Sequence, residues 1–373
     1  MRQEQMRRKQ PPKYDGRCRY LTQQEKADLE ASGVVPVVRF KTPLEGETTF
    51  QDLIRGKLTF KNSTLDDLIL LKSDGYPTYH LANIVDDHLM DISHVLRADE
   101  WLSSTPRHML LYQALGWEPP EFAHLPMILG DDRSKLSKRH GATTITEYKD
   151  QGYLPQAMVN FLALLGWSLD DRTELLSCQE LIQHFSLGRV SKTAAIFDKR
   201  KLEWMNGVYV RQLSSEEFAQ QAATFLDRDL PSSVERPLDK DYIYQIMPLL
   251  QERAKTFAEV PQLADFFFLD ELEYDTNLLL GDGLDAASAT TAIEIALPRL
   301  EAVEPWDAGS LEGILRPLAV ELNLSTRKFF GLLRTATTGR HAAPPLFQTM
   351  AVLGKQKCRD RLNAALQRLS VSP

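Results

Sequence analysis

The sequence predicts an α/β fold in its first part, followed by a long helical part. Short apolar strands alternate with helical segments between residues 77 and 129, and this order is typical of a doubly wound parallel sheet. From Thr144 onward the pattern is mostly helical. Ligands of such sheets lie beyond the carboxyl ends of the strands, so polar residues at those ends are the first candidates for a site.

Size and composition restrict the class of protein. The 373 residues are 43% hydrophobic and 25% charged, which is typical of a globular protein with about two to four domains. No apolar run approaches the ~18 residues that a membrane helix needs, so no membrane partner is expected. The first 13 residues are polar and basic, unlike a secretory signal. The three cysteines are far apart and form no Cys-x-x-Cys pair, which predicts a reducing, cytoplasmic location: Cys18, Cys178 and Cys358.

The charge distribution is uneven along the chain. A net charge of −7 argues mildly against a nucleic-acid partner. Basic residues nevertheless outnumber acidic ones in residues 1–61 and again in residues 327–368. Two basic ends around an acidic middle suit contact with an extended polyanion at two places. Solvated surface is the alternative, and charge alone does not decide between them.

The first 71 residues predict one helix and several strands. Thr22 with Glu25 three residues later forms a capping box, so a helix begins there and ends near Gly33. A proline is tolerated in an edge strand, which allows one around Pro36. The strands predicted from apolar runs are residues 34–40, 58–60 and 68–71.

Strand and helix alternate after residue 77. Apolar residues at helical spacing predict a helix from Tyr79 to Met90. Ser103 or Ser104 can cap a second helix, which Gly116 stops. The strands predicted beside these helices are residues 95–97 and 125–129.

A densely cationic turn follows the second of these strands. Residues 134–141 read SKLSKRHG, with two lysines three apart and an arginine directly after them. Lys138 supplies a compact point charge and Arg139 a planar fork, and both suit phosphate oxygens. The turn does not match the Gly-x-x-x-x-Gly-Lys-[Ser/Thr] phosphate loop. By itself, a solvated basic loop is the simpler interpretation.

Four further blocks reverse that interpretation. In chain order they are DGYPTYHLANIVDDH (74–88), RADEW (97–101), FDKRKLEWMNG (197–207) and LRTATTG (333–339). Together they resemble bacterial-type glutamate–tRNA ligases, which are class I aminoacyl-tRNA synthetases. The resemblance runs over essentially the whole chain, and residues 135–139 are similar to the family's KMSKS loop.

The resemblance implies an incomplete Rossmann-like catalytic domain with an α+β insertion, followed by all-α anticodon-binding domains. No His-x-Gly-His motif of class I enzymes occurs in the 373 residues, so we expect the first half of the catalytic sheet to be absent. The implied parts are an acceptor-stem-binding insertion (1–77), the second half of the catalytic domain (78–140), a stem-contact region (141–210), and two helical anticodon-binding domains (211–280 and 281–373).

The implied activity is ATP-dependent attachment of L-glutamate to tRNA(Glu) through glutamyl-adenylate, in translation. The substrates are then glutamate, tRNA(Glu) and ATP with Mg²⁺, and a monomer is expected. The alternative left open is a truncated tRNA-binding module without amino-acid activation. Binding of tRNA without ATP–pyrophosphate exchange would distinguish the tRNA-binding module from the active ligase. We expect that result for the isolated chain. Charging of tRNA(Gln) is left undecided.

No protein-bound metal is predicted. Some relatives bind zinc in the insertion, but of those ligands only Cys18 with nearby Tyr20 is present. His80 and His88 are eight residues apart, which does not match the His-x-x-x-His spacing. His140 has no metal-ligand spacing with either. Magnesium is therefore expected to arrive with ATP.

The resemblance also implies site residues. Lys138 is implied to meet the charge that builds on the α-phosphate and pyrophosphate, with Lys135 in support. Without the family context, Arg97 reads as a surface ion pair with Asp99 or Glu100, whereas the resemblance directs it to a glutamate carboxylate. A plain strand-core role for Ile128 stays open. The implied ATP contacts are Glu100, Ile128, Lys135, Leu136, Ser137, Lys138 and Arg139, and the implied glutamate contacts are Tyr79, His80, Leu81, Ala82, Asn83 and Arg97.

Overall fold

The structure is a computed structural model that describes residues 2–7, 14–137, 139, 141 and 144–371, with only the backbone described for residues 2–4, 282 and 371. The chain divides into two units. The first unit contains residues 1–139 and 162–197, and the second contains residues 140–161 and 198–373. Each unit is therefore assembled from two separate stretches of chain.

The described helices and strands follow in chain order. The helices are α1 (Arg2–Arg7), α2 (Gln23–Ala31), α3 (Tyr79–Leu89), α4 (Thr105–Leu115), α5 (Ile145–Asp150), α6 (Pro155–Ala163), α7 (Cys178–His184), α8 (Lys199–Gln212), α9 (Ser215–Asp229), α10 (Lys240–Gln251), α11 (Val260–Phe268), α12 (Ala286–Glu301), α13 (Ala308–Glu321), α14 (Thr326–Thr338), α15 (Leu346–Leu353) and α16 (Lys355–Val371). The strands are β1 (Val38–Arg39), β2 (Glu47–Asp52), β3 (Gly56–Lys61), β4 (Ile69–Leu71), β5 (His94–Ala98), β6 (Glu121–Leu125), β7 (Ile128–Leu129) and β8 (Ala195–Ile196). Among these, no helix is both long and apolar enough to cross a bilayer.

A four-stranded sheet in the order β3-β2-β6-β5 positions the candidate site. Strands β2 and β3 form an antiparallel hairpin, and β5 runs parallel to β6 with α4 as the connecting helix. Strand β2 is also parallel to β6, through the pairing of Asp52 with Phe122. The predicted α/β fold is confirmed, although the sheet is mixed rather than wholly parallel. The last residues of β5 and β6, Ala98 and Leu125, lie side by side, whereas the last residue of β2, Asp52, lies beside Phe122, near the start of β6. All three strands run toward the same edge.

Both faces of β6 are covered. Successive side chains of a strand point to opposite faces, so the neighbours Phe122 and Ala123 reach two different cores. Phe122 packs in a cluster with Ile84 of α3 and Leu111 of α4. Ala123 packs in a second cluster with Trp167. The strand that carries the central residues of the site is thus fixed from both sides.

Several local predictions are confirmed. Thr22 Oγ1 accepts the Glu25 N–H at 3.2 Å, and Glu25 Oε2 accepts the Thr22 N–H at 2.8 Å, which is the predicted capping box of α2. Helix α3 begins at Tyr79 as predicted. Helix α4 ends at Gly116, whose φ of 72° is the left-handed conformation that favours glycine.

Other predictions are wrong in extent. Of the strand predicted at residues 34–40, only Val38–Arg39 forms a strand, which pairs with β4. The strand predicted at residues 125–129 is two strands, because Pro126 has no N–H for a ladder and separates β6 from β7. Neither predicted serine caps α4: Ser104 precedes it without a side-chain cap, after a 3₁₀ segment at Asp99–Ser104.

In its described residues the second unit is helical, and a buried arginine joins several of its helices. Arg361 of α16 is 4% exposed and donates to three backbone carbonyls. Its acceptors are Thr337 O at 2.5 Å, Phe266 O at 2.6 Å and Leu269 O at 2.7 Å. The last carbonyls of a helix have no donor within that helix, so Arg361 supplies the missing donors at the ends of α11 and α14.

Candidate active site

Arg97 lies near the carboxyl end of β5, where the sequence pattern predicts a site. Its guanidinium donates through Nε to His124 Nε2 at 3.0 Å and through one terminal nitrogen to Thr105 Oγ1 at 2.8 Å. The other terminal nitrogen lies 3.4 Å from His108 Nδ1. The ring of Phe122 lies beneath the guanidinium, with its centroid 5.3 Å from Cζ. Arg97 is thus held by polar groups on α4 and β6.

The surface ion pair considered for Arg97 does not occur in the structure. Asp99 Oδ2 instead pairs with Arg55 at 2.9 Å, and Glu100 Oε2 pairs with Lys135 Nζ at 2.6 Å. Both acidic neighbours are thereby occupied by other cations. Among the described residues, Arg97 takes part in no ion pair.

Asp52 and His124 form a buried pair beside Arg97. Asp52 Oδ2 lies 2.6 Å from His124 Nδ1, and both side chains are fully buried. Asp52 Oδ1 also accepts the backbone N–H groups of Ile54 at 3.0 Å and Arg55 at 2.8 Å. Burial raises the pKa of the Asp52 carboxyl, but these hydrogen bonds outweigh it, and the pKa lies below its ordinary value. Burial lowers the pKa of His124, so its imidazole is neutral near pH 7.

Two further histidines continue the polar cluster toward α3. His108 Nε2 of α4 lies 2.9 Å from His80 Nδ1 of α3. Burial, followed by the positive charge of Arg97, lowers the pKa of His108 to about 3. Burial and the charges of Arg107 and Arg97 also lower the pKa of His80. Both imidazoles are therefore neutral at physiological pH.

The other predicted glutamate contacts lie on α3. The Tyr79 ring is 4.9 Å from the ring of Trp101, whose centroid is 5.9 Å from Arg97 Cζ. Asn83 lies one turn after Tyr79 on α3 and is half-buried. Tyr79 and His80 are thus linked to the surroundings of Arg97 through Trp101 and His108. The remaining two predicted contacts, Leu81 and Ala82, follow on α3 with half-buried side chains.

The predicted cationic turn begins on a tight hairpin built on β7. Leu129 forms a bridge with Lys135, and the Leu136 N–H donates to Ile128 O at 3.1 Å. Within the hairpin, Asp132 accepts the Ser134 N–H at 2.9 Å. Ile128 is half-buried, so a core role and a ligand role are both compatible with its position.

The remaining predicted ATP contacts follow along this segment. Lys135 and Arg139 are exposed, whereas Leu136 and Ser137 are half-buried. Lys138, the residue predicted to face the phosphates, lies outside the described residues, as does His140. The ion pair between Lys135 and Glu100 fixes the start of the cationic segment close to the carboxyl end of β5. Glu100 follows Arg97 by three positions in the sequence.

Four polar residues of the cluster were not predicted from the sequence: Asp52, Thr105, His108 and His124. All four are essentially buried, with exposures of 0%, 0%, 1% and 0%. The one signal available was the histidine inside the apolar run of β6, since buried polar groups require partners. Among the described residues, no group of three or more His, Cys, Asp or Glu side chains is arranged to hold a metal ion.

Comparison with known protein families shows the class of the chain. Residues 1–204 match the model of class I tRNA synthetase catalytic domains for glutamate and glutamine. Residues 217–366 match the model of an anticodon-binding domain. Fold and matches together define a class I tRNA synthetase catalytic region followed by an anticodon-binding region.

Individual relatives narrow this class. The chain is 54% identical over 375 residues to the glutamate–tRNA ligase of Dehalococcoides mccartyi, covering 100% of this chain and 75% of that protein. It is 48% identical over 349 residues to the glutamate–tRNA ligase of Roseiflexus castenholzii, covering 92% and 69%. A crystal structure of a glutamate–tRNA ligase from Elizabethkingia meningosepticum, in complex with its amino acid, superimposes with a TM-score of 0.84 at 32% identity, covering 99% of this chain and 77% of that one. The chain belongs to the glutamate–tRNA ligase family.

Proposed function

We propose that this chain attaches L-glutamate to tRNA(Glu) in cytoplasmic translation, using ATP with Mg²⁺ as substrate and passing through glutamyl-adenylate. Membership of the family supports the reaction class. The observation that carries the proposal is the environment of Arg97. Its three hydrogen-bond partners, His124, Thr105 and His108, are neutral, so the guanidinium charge is available to a substrate carboxylate.

The reaction consists of two substitutions. In the first, an oxygen of the glutamate α-carboxylate bonds to the α-phosphorus of ATP, and the bond from that phosphorus to pyrophosphate breaks. In the second, a hydroxyl of the terminal ribose of the tRNA attacks the activated carbonyl carbon, loses its proton, and AMP leaves. Neither step needs a covalent bond to the protein, so positioning and charge stabilisation supply the rate.

The site divides into two neighbouring parts under this proposal. Arg97 and residues 79–83 of α3 bind glutamate. The cationic segment binds ATP, and Lys138 meets the charge on the phosphates. Glu100 connects the two parts, because it lies in the 3₁₀ segment that directly follows the strand of Arg97, and it pairs with Lys135. A binding role for the whole set rests on the family resemblance, and the ion pair supports their proximity.

The second unit is proposed to bind the anticodon side of tRNA(Glu), as its match to an anticodon-binding domain suggests. Its basic residues differ in availability. Arg361 is buried, and Arg368 donates to Leu272 O at 2.7 Å, so both hold the fold together. Exposed Arg359 is free of backbone acceptors in the described contacts and is a better candidate for RNA phosphates.

Glutamylation of purified tRNA(Glu) tests the proposal. Radiolabelled glutamate and glutamine are offered to the polypeptide with ATP, and glutamate-dependent ATP–pyrophosphate exchange is measured in parallel. Charging with glutamate but not glutamine supports the proposed reaction and contradicts the expectation, drawn from the missing His-x-Gly-His motif, of tRNA binding without exchange. Binding of tRNA(Glu) with neither charging nor exchange supports the alternative, a tRNA-binding module without amino-acid activation. Parallel charging of tRNA(Gln) decides the breadth of the tRNA specificity.

A further inference from the structure

Arg97 stands in the middle of a continuous chain of buried and half-buried polar side chains. From Asp52 the chain leads through His124 to Arg97, and from Arg97 through His108 to His80. Burying a carboxylate is unfavourable unless hydrogen bonds compensate it. Four donors reach the Asp52 carboxylate. They are the backbone N–H groups of Ile54, Arg55 and His124, the last at 3.1 Å from Oδ2, and the ring nitrogen Nδ1 of His124.

The hydrogen-bond chemistry of arginine fixes the tautomer of His124. A guanidinium has donors and no acceptor. His124 Nε2, which receives the Arg97 Nε–H, must therefore be unprotonated. The ring proton then lies on Nδ1 and is donated to Asp52. Asp52 thus selects the tautomer that presents a lone pair to Arg97, by the same logic with which a buried carboxylate orients a catalytic imidazole.

The second histidine follows the same rule. His108 Nδ1 faces a terminal nitrogen of Arg97 and is the acceptor, so the His108 proton lies on Nε2. That proton is donated to His80 Nδ1. His80 then carries its own proton on Nε2. All three imidazoles are neutral, and their orientations depend on one another.

The arrangement fixes the guanidinium without a direct ion pair, and the negative charges of Asp87 and Asp52 act on it only from beyond ion-pair distance. Nε–H and one N–H on each terminal nitrogen are used on His124, Thr105 and His108. Each terminal nitrogen keeps one further N–H. Two parallel N–H groups on the terminal nitrogens are the geometry that binds a carboxylate bidentately. Neutral acceptors hold the guanidinium plane in place while the positive charge stays available to an incoming anion.

We propose that Asp52, His124 and His108 are positioning residues that orient Arg97 toward a carboxylate of the amino-acid substrate. Asp52 acts through the tautomer of His124, and His108 holds the opposite side of the guanidinium. The inference rests on the proposed function, because it assumes that Arg97 binds glutamate. It goes beyond that function by assigning roles to three residues outside the predicted site.

Asp52→Asn tests the inference with little change in shape. The asparagine oxygen can still accept the Ile54 and Arg55 N–H groups, but its NH₂ takes the place of Oδ2 and faces both His124 Nδ1 and the backbone N–H of His124. His124 then carries its proton on Nε2, where it opposes the Arg97 Nε–H. We expect KM for glutamate to rise about 10- to 100-fold, the range for a lost hydrogen bond to a charged group, with KM for ATP unchanged.

Asp170→Asn is the matched control. Asp170 also accepts the backbone N–H groups two and three residues later, from Arg172 at 2.7 Å and Thr173 at 2.6 Å. It is exposed and contacts no imidazole in the described residues. A loss of turn geometry alone would affect both variants, whereas the tautomer effect is confined to Asp52→Asn.

The tautomer itself is measured by long-range ¹H–¹⁵N NMR of histidine-labelled protein, with His124→Gln identifying the His124 signals. Wild type is expected to show a protonated Nδ1, and Asp52→Asn a protonated Nε2. A protonated Nε2 on His124 in wild type overturns the inference. This readout is independent of activity, so a failure of glutamylation in wild type would contradict the proposed function alone.

A second pair of variants decides the matter should Asp52→Asn not fold. In His124→Gln, the side-chain oxygen can still accept from Arg97, whereas His124→Leu leaves the Nε–H without a partner. We expect KM for glutamate to be close to wild type for Gln and raised about 10- to 100-fold for Leu. Equal KM values in wild type and both variants would overturn the positioning role.

Discussion

Lys135 Nζ lies 2.6 Å from Glu100 Oε2, and this ion pair joins the cationic hairpin to the turn after β5. Glu100 follows Arg97 by three residues, so the proposed ATP segment and the proposed glutamate contact share one support. The two side chains are 61% and 46% exposed. An exposed ion pair contributes little to stability. Its value here lies in the position that it gives to the start of the hairpin.

Glu100→Gln is expected to leave the start of the cationic hairpin less firmly positioned, without unfolding the protein. Loss of an exposed ion pair of this kind corresponds to about two- to five-fold in an equilibrium constant, so KM for ATP should rise by that factor. KM for glutamate should not change. ATP–pyrophosphate exchange at varied ATP measures the effect, and raising the salt concentration should shrink it. Asp74→Asn removes another exposed ion pair of this unit and serves as control; equal effects of both variants would contradict the prediction.

Arg97→Lys keeps the positive charge but removes the planar fork. A lysine cannot satisfy His124, Thr105 and His108 and also bind a carboxylate bidentately. KM for glutamate is expected to rise about 10- to 100-fold with KM for ATP nearly constant. Steady-state exchange kinetics provide the measurement, with exposed Arg172→Lys as control. An unchanged KM for glutamate would exclude Arg97 as its contact.

His108 predicts a pH-dependent stability of the first unit. Its folded pKa of about 3 lies below the ordinary value of 6.5, so the unfolded chain binds more protons between these values. Stability is therefore fully present above pH 6.5 and is lost as the pH falls below it, by up to about 1.4 kcal/mol per pH unit for this group. The pKa values of His80 and His124 are lowered as well and act in the same direction.

Urea unfolding at pH 7.5 and pH 5.5 tests this expectation. Wild type should lose more stability on acidification than His108→Gln, by about 1 kcal/mol. Thr105→Val removes a nontitratable member of the same cluster and should lower stability equally at both pH values. Identical pH dependence in wild type and His108→Gln would be incompatible with a buried neutral imidazole.

Arg361→Ala is expected to destabilise the second unit by about 3 kcal/mol, because three buried carbonyls lose a charged donor. Arg359→Ala, at an exposed position on the same helix, should cost less than about 0.5 kcal/mol. Chemical denaturation of both variants measures the difference. Similar losses would show that Arg361 is not the connection between the ends of α11 and α14.

Local signals in the sequence predicted the helices well. The capping box at Thr22 and the apolar spacing of α3 are short-range features, and both helices form where they were expected. Strand β2 was missed, although Thr48, Phe50 and Asp52 alternate with exposed residues as a half-buried strand requires. Two of the three buried positions are polar, so the alternation of hydrophobicity was too weak to detect.

The surroundings of Arg97 could not be predicted for a different reason. Asp52, Thr105 and His124 come from three separate segments of chain, and each alone reads as an ordinary turn, helix or strand residue. The parallel pairing of β2, β6 and β5, with α4 as the connection between β5 and β6, brings them together. The family resemblance identified Arg97 as a binding residue. A sequence motif does not identify the residues from other segments that hold such a residue in place.

The pairing of β7 with β8 affects how the first unit can be isolated as a fragment. Ala195 and Ile196 lie beside Ile128 and Leu129, although α5, α6 and α7 intervene in the chain. A fragment that stops at residue 140 would leave the backbone edge of β7 without this neighbour, and open strand edges promote self-association. A fragment that contains the cationic hairpin with β7 paired as in the whole chain must therefore continue through residue 197.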